Sequence, residues 1–219
     1  MPAQTLAILL LVVARLAIEA QSPIPSLLLL TKEKVRPGKM VAYDTNESRI
    51  AATCARMRCP HAYVALRSIG TPDEIWWLNE YVSAAERSSA DNKWQDHPAM
   101  RLLRPLGLRK DSLRQVLQTT LLQRRAEASP GAPWSIAGTR FLVVAEGGDV
   151  IGFSGSVFEA PNGRPIVIAA AADLGEAQAR AAPYGQRVSV LAVERRWSFP
   201  AAEWITADSV FWRSSLAPP

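Results

Sequence analysis

Glu47 sits where a charge is out of place. Met40, Tyr43, Ile50, Cys54 and Met57 recur at three- and four-residue steps, which is one face of a helix, and Glu47 falls on that face between Tyr43 and Ile50. A carboxylate there costs free energy unless it finds a partner or water. Further on, Trp77, Asn79 and Tyr81 occupy alternate positions, which puts them on one face of a strand. If the helix covers that face, Glu47, Trp77, Asn79 and Tyr81 converge in the layer between helix and sheet, with His61 at its edge. Polar groups gathered in an apolar pocket make a site for a small apolar or aromatic molecule. The alternative is purely structural: a satisfied Asn79, a Glu47 that reaches solvent, and aromatic rings that are core. No residue is assigned a catalytic role.

Other chemistries are poorly supported. The two cysteines, Cys54 and Cys59, have only His61 and His97 beside them as further nitrogen or sulfur ligands. No zinc-type spacing results, and neither a metal nor a cofactor is expected. Five positions apart in a continuous helix, the cysteine Cα atoms stand about 8–9 Å from each other, beyond bridging distance. A disulfide requires the helix to end near Met57, which Pro60 allows; otherwise Cys54 is a free core thiol. Gly152-Phe153-Ser154-Gly155-Ser156 resembles a nucleophile elbow without its final glycine, and neither histidine stands in the context of a base. Asn46-Glu47-Ser48 fits a glycosylation acceptor but falls within the expected helix. Trp197, Trp204 and Phe211 recur every seven residues, yet Pro200 interrupts them, so they are core or interface anchors.

The net charge of +5 over 219 residues is carried mostly by arginine. Positive charge concentrates in residues 101–125, where Asp111 is the only acid. No nucleic-acid motif accompanies this run, which reads as a solvated basic face. At the start of the chain, Leu6 to Ala14 is apolar but too short to span a bilayer. It suits the hydrophobic part of a signal peptide over residues 1–20, with cleavage before Gln21, and implies export to the periplasm or the outside. No later stretch is long and apolar enough for a transmembrane helix.

These residues need elements to position them. Leu27 to Val35 alternates as a strand, Arg36-Pro37-Gly38-Lys39 turns the chain, and a helix runs from Met40 toward Met57. Gly70-Thr71-Pro72-Asp73 reads as a four-residue hairpin loop in which Ile69 faces Glu74. That register puts Val64, Leu66, Ile75, Trp77, Asn79 and Tyr81 on one face, for the helix, and Tyr63, Ala65, Trp76 and Leu78 on the other. The second face is too apolar for water and should meet another sheet. Ser83 to Glu86 has capping-box spacing for a helix that decays by Asp91. A short helical segment from His97 should break at Pro105 and Gly107, followed by a helix giving way to a short strand before Arg125. After a linker over residues 126–133, strands are expected at 140–145, 150–158, 165–170 and 186–195, with helices at 173–182 and 201–212 and a loose tail from Ser214.

The Val35-Arg36-Pro37-Gly38-Lys39 turn and the Asp73-Glu74-Ile75-Trp76-Trp77-Leu78 strand, in this order of elements, resemble the ferredoxin-like βαββαβ unit of the dimeric α/β-barrel superfamily, which includes antibiotic biosynthesis monooxygenases. The resemblance covers residues 27–125 and is one of fold. It implies an α+β chain in which two antiparallel sheets pack face to face; the strand-rich second half over residues 134–213 departs from the pattern, with no long helix after its first strand, and leaves open whether it is a degenerate repeat that completes the barrel. It also implies that Tyr63, Trp76 and Leu78 lie at the interface, covered by the later half of the chain or by a second copy in a homodimer. For function, the superfamily suggests a cofactor-independent monooxygenase acting on a phenolic or other apolar compound. The competing expectation is a non-catalytic structural or interaction protein that assembles through its sheet face.

Overall fold

The computed structural model describes residues 24–129, 136–147 and 152–213. The segment expected to be a signal peptide, part of the expected linker, the start of the strand expected at Val150 and the tail from Ser214 lie outside the described residues. In chain order the elements are β1 (Leu27–Val35), α1 (Met40–Met57), β2 (Val64–Ser68), β3 (Glu74–Tyr81), α2 (Ala84–Gln95), α3 (Ala99–Leu113), β4 (Arg114–Arg124), β5 (Phe141–Glu146), β6 (Ser156–Glu159), β7 (Pro165–Ala171), α4 (Leu174–Ala181), β8 (Val188–Val193), α5 (Ala202–Ala207) and α6 (Ser209–Arg213).

The chain is a mixed α+β fold whose described strands close into one antiparallel barrel in the order β1-β3-β2-β8-β5-β7-β6-β4. Its two halves share a strand order. Counting within each half, the fourth strand pairs with the first, the first with the third and the third with the second, in β4-β1-β3-β2 and again in β8-β5-β7-β6. The halves join where Leu66–Ser68 of β2 pair with Leu191–Val193 of β8, and where Gln123 and Arg124 of β4 pair with Glu159 and Phe158 of β6. The barrel is thus completed within one chain.

Alternation along the strands fills the interior. Leu28, Leu30, Val64, Leu66, Trp76, Leu78, Leu142, Val144, Phe158, Ile166, Ile168 and Leu191 form one buried cluster, joined by Trp204 and Trp212 from α5 and α6. Burying each such side chain is worth about 1.5–3 kcal/mol. Trp76 and Leu78, each 1% exposed, are therefore covered by β5–β8 of the same chain.

The β2–β3 register differs by one residue from the expected one. Val64 faces Leu78 and Leu66 faces Trp76, because the Ile69 N–H is taken by the Val190 carbonyl at 2.9 Å and Ile69 cannot turn toward Glu74. The loop is consequently one residue longer at its start. A one-residue slip exchanges the faces of a strand, so Val64 and Leu66 point into the barrel while Tyr63 and Ala65 pack on the helix side with Ile75 and Trp77. Tyr63 thus shares the helix layer, not the sheet-to-sheet layer with Trp76 and Leu78.

Pro105 and Gly107 do not break α3, which runs unbroken from Ala99 to Leu113. Proline removes the N–H that would bond the Arg101 carbonyl, and both Arg101 and Pro105 are exposed, so the freed acceptor lies on the solvent side of the helix. α2 continues to Gln95, capped by Ser83, whose hydroxyl accepts the Glu86 N–H at 3.1 Å. Ahead of β6, the close approach of two backbones fixes a glycine. A Cβ at Gly155 would lie 2.6 Å from the Ile168 carbonyl oxygen. Strand packing is what the elbow-like sequence serves, and Ser156 faces the barrel fully buried.

Candidate functional site

The site lies outside the barrel wall, between α1, α3 and strands β1, β3 and β4. Three sequence features build it. A register shift between Lys32 and Glu33 in the β1–β4 pairing sets Glu33 opposite Val116 on the helix side. Helical spacing carries Tyr43, Asn46 and Glu47 to the same side, and the last turn of α3 with the first residue of β4 brings in Lys110 and Arg114.

Glu33 is completely buried and is the hub. Its carboxylate accepts hydrogen bonds from the Tyr43 hydroxyl, the Trp77 indole N–H and the Arg114 guanidinium, and the Lys110 ammonium lies 3.1 Å away. Lys110 also donates to Glu47 Oε2 at 3.3 Å and stands 3.7 Å above the Trp77 ring, a cation–π contact. Arg114 reaches on to Asp111 at 2.8 Å. Asn46 ties the two helices together through the Leu106 carbonyl at 3.1 Å. Glu47 is 1% exposed, and its Oε1 is buried without a hydrogen-bond partner.

The two carboxyl groups are pushed apart. Burial works to raise Glu33, but Lys110, the Tyr43 hydroxyl, Arg114 and the Trp77 N–H outweigh it and hold the group below the ordinary carboxylate range. Glu47 is raised, by burial first and then by the Glu33 charge, with Lys110 opposing. Two carboxyl groups with diverging affinities for a proton, one fixed and ionised, the other prone to hold a proton, are the arrangement that divides electrostatic and acid–base roles.

A cleft of about 400 Å³ opens beside this cluster, lined by Thr31, Glu47, Ile50, Tyr63, Trp77, Asn79, Lys110, Arg114, Val116 and Thr119. Glu47, Trp77 and Asn79 therefore share one cleft. His61 and Tyr81 do not join them. Their rings stack on each other at 4.3 Å and 4°, lining a different cleft of about 400 Å³ with Pro200 and Trp204. Burial lowers the His61 pKa, against the pull of Glu86, so the ring is neutral near pH 7. Asn79 is partly satisfied through the Ala62 carbonyl at 3.2 Å.

Sequence reasoning missed Glu33, Lys110 and Arg114. The signal for Glu33 was present: Lys32, Glu33 and Lys34 are consecutive in a strand, so both faces carry charge and one charge must enter a packed layer. Lys110 and Arg114 were hidden in the basic run, which is not wholly a solvated face. Arg101, Arg104 and Arg109 are exposed, whereas Lys110 and Arg114 turn into the cleft. Among the described residues no cluster of histidine, cysteine or carboxylate side chains has a metal-binding arrangement, and no helix is long and apolar enough to cross a membrane.

No family model matches the sequence, and no curated protein matches it. Among solved structures, a candidate monooxygenase of Fusobacterium nucleatum is similar at 7% identity, over 78% of this chain and 94% of that one, with a TM-score of 0.48. A candidate chlorite dismutase is similar at 9% identity, over 83% and 97% of the two chains, with a TM-score of 0.44. A candidate monooxygenase of Lactobacillus acidophilus gives 5% identity, 77% and 94% coverage and a TM-score of 0.42. At such remoteness the site's own geometry has to speak to function.

Proposed function

We propose that this chain binds a small apolar or aromatic molecule in the cleft beside Trp77, and that Glu47 exchanges a proton with it. One observation carries the reading. A carboxyl group almost wholly removed from water has an oxygen without a partner, lines a cleft large enough for a small ligand, and has a raised affinity for protons. An acid–base group is most effective when its pKa lies near the working pH. Trp77, Ile50 and Val116 give the ligand an apolar wall, Lys110 and Arg114 stabilise negative charge that forms on it, and Glu33 keeps both cations in place. The repeated strand order of the two halves supports the ferredoxin-like unit and the barrel superfamily as its ancestry.

The finer form of the proposal is a cofactor-independent monooxygenase acting on a phenol. Glu47 accepts the hydroxyl proton, the phenolate is held against Lys110 and Trp77, and one O₂ inserts an oxygen at a ring C–H. The product is a quinone and the second oxygen leaves as water, so the substrate supplies all the electrons. The leader sequence supports export, and N-terminal sequencing of secreted material should begin at Gln21. Trp76 and Leu78 are each 1% exposed, which favours ligand binding over assembly through that sheet face.

The test is quenching of tryptophan emission by a library of phenols and other aromatic compounds, followed by oxygen uptake with each ligand that binds. Binding should weaken at least tenfold in Lys110→Ala, and oxygen uptake should fall at least a hundredfold in Glu47→Gln with binding retained. Ligand binding without oxygen uptake keeps the binding protein and removes the oxygenase. A flat response across the library removes both.

A further inference from the structure

The end of α1 holds chemistry that the cleft beside Trp77 does not use. Cys54 and Cys59 are both buried free thiols. α1 stops at Met57, Arg58 takes a left-handed conformation at φ 53°, and the Cys59 N–H returns to the Cys54 carbonyl oxygen at 3.0 Å. That bond closes six residues into one and curls the residue beyond the cap back over the start of the last helical turn. An apolar contact commonly accompanies this closure; here the two positions carry sulfur. Both cysteines belong to one buried cluster with Ala99. A continuous helix would hold the two Cα atoms about 8–9 Å apart; the left-handed turn at Arg58 ends the helix between them. Access is unequal. Cys59 lines the cleft that also holds His61 and Trp204, whereas Cys54 lies behind it at 1% exposure.

We propose that Cys54 and Cys59 are a redox pair that closes into a reversible intramolecular disulfide, with Cys59 reacting first through the His61 cleft and Cys54 resolving. The oxidant is a small disulfide such as oxidised glutathione. The Cys59 thiolate attacks one of its sulfurs and releases one glutathione thiolate. The Cys54 thiolate then attacks the Cys59 sulfur of the mixed disulfide and releases the second. Two protein thiols become one disulfide, one glutathione disulfide becomes two thiols, and the two protons lost by the cysteines end on the released glutathione thiolates. The bond pins the end of the helix that carries Glu47 to the segment that carries His61 and Tyr63.

The full chain is incubated with oxidised glutathione and followed by intact mass, by thiol titration after denaturation, and by thermal melting. The expected result is a loss of about 2 Da with no titratable thiol, a Tm higher by roughly 5 °C, and reversal of all three by dithiothreitol. Cys54→Ser should stop at a stable glutathione adduct mapped to Cys59. The proposal is overturned if both wild-type thiols still titrate after a day, if wild type stops at a mixed disulfide, or if the only disulfide formed joins two chains. A Cys54→Ser variant that fails to fold leaves the wild-type mass and thiol count decisive.

Discussion

Glu33 and Glu47 meet the same ammonium, yet stability should depend on them with opposite signs. Glu33 is depressed in the folded chain by Lys110, Tyr43, Arg114 and Trp77 acting against burial. Its contribution is therefore present above the unfolded carboxylate pKa and is lost as the pH falls through the folded one. Glu47 is raised by burial. Its contribution is present below the unfolded pKa and is lost as the pH rises through the folded value. Urea melts at about pH 5 and about pH 8 read the Glu47 contribution with that of Glu33 nearly constant, and melts at about pH 3 and about pH 5 read the Glu33 contribution with that of Glu47 nearly constant. Glu47→Gln should gain stability relative to wild type as the pH rises, because the amide never has to ionise in the buried site. Glu33→Gln should cost about 3–5 kcal/mol at neutral pH, since Arg114 and Lys110 lose the charge they were buried against. A Glu33→Gln protein as stable as wild type would mean that water already compensates the two cations, and the division of roles between the carboxyl groups would fall.

The elements were legible where a local rule governed and illegible where a distant strand decided. β1, the Arg36–Lys39 turn and α1 follow from alternation, proline–glycine chemistry and helical spacing, and they fall where the sequence puts them. The β2–β3 register was not legible, because Ile69 is claimed by Val190 of β8, more than a hundred residues away in sequence. That slip moved Tyr63 into the helix layer, while Trp77 and Asn79 kept their face because β3 also pairs with β1 along its length. The Glu47, Trp77 and Asn79 part of the cleft was therefore readable, and the Glu33, Lys110 and Arg114 part was not, since it depends on β4 lying against β1. Tyr81 was placed on the right face but at the far end of the strand, beside His61. Tertiary approach of this kind can be tested at Gly155, where an added Cβ meets the Ile168 backbone and not a flexible side-chain tip. Gly155→Ala should destabilise by about 1–3 kcal/mol through the β6–β7 pairing. In hydrogen exchange the loss of protection should concentrate in residues 156–159 and 166–168.

For the whole molecule, the closed barrel changes what covers the apolar sheet face. Open, that face would require a second copy. Closed by β5–β8, it is the interior of a single folded unit, and a charge placed there must unfold the chain, whatever its oligomeric state. Trp76→Asp is the less clear probe, because the Lys32 ammonium lies 4.0 Å from the Trp76 ring and would pair with the new carboxylate. Leu78 has no such neighbour in its register: it faces Leu30 on one side and Val64 on the other. Leu78→Asp removes an apolar side chain, at about 2–5 kcal/mol by analogy with truncation to alanine, and leaves a carboxyl group unpaired in an apolar core. Against a total stability of about 5–15 kcal/mol, the folded state should be lost or nearly so. Circular dichroism and light scattering on wild type and variant read the outcome: collapse of the near-ultraviolet signal is expected, with no well-folded smaller species. A folded Leu78→Asp chain of half the wild-type mass would show instead that the face is shared between copies, and the single-chain barrel would be wrong.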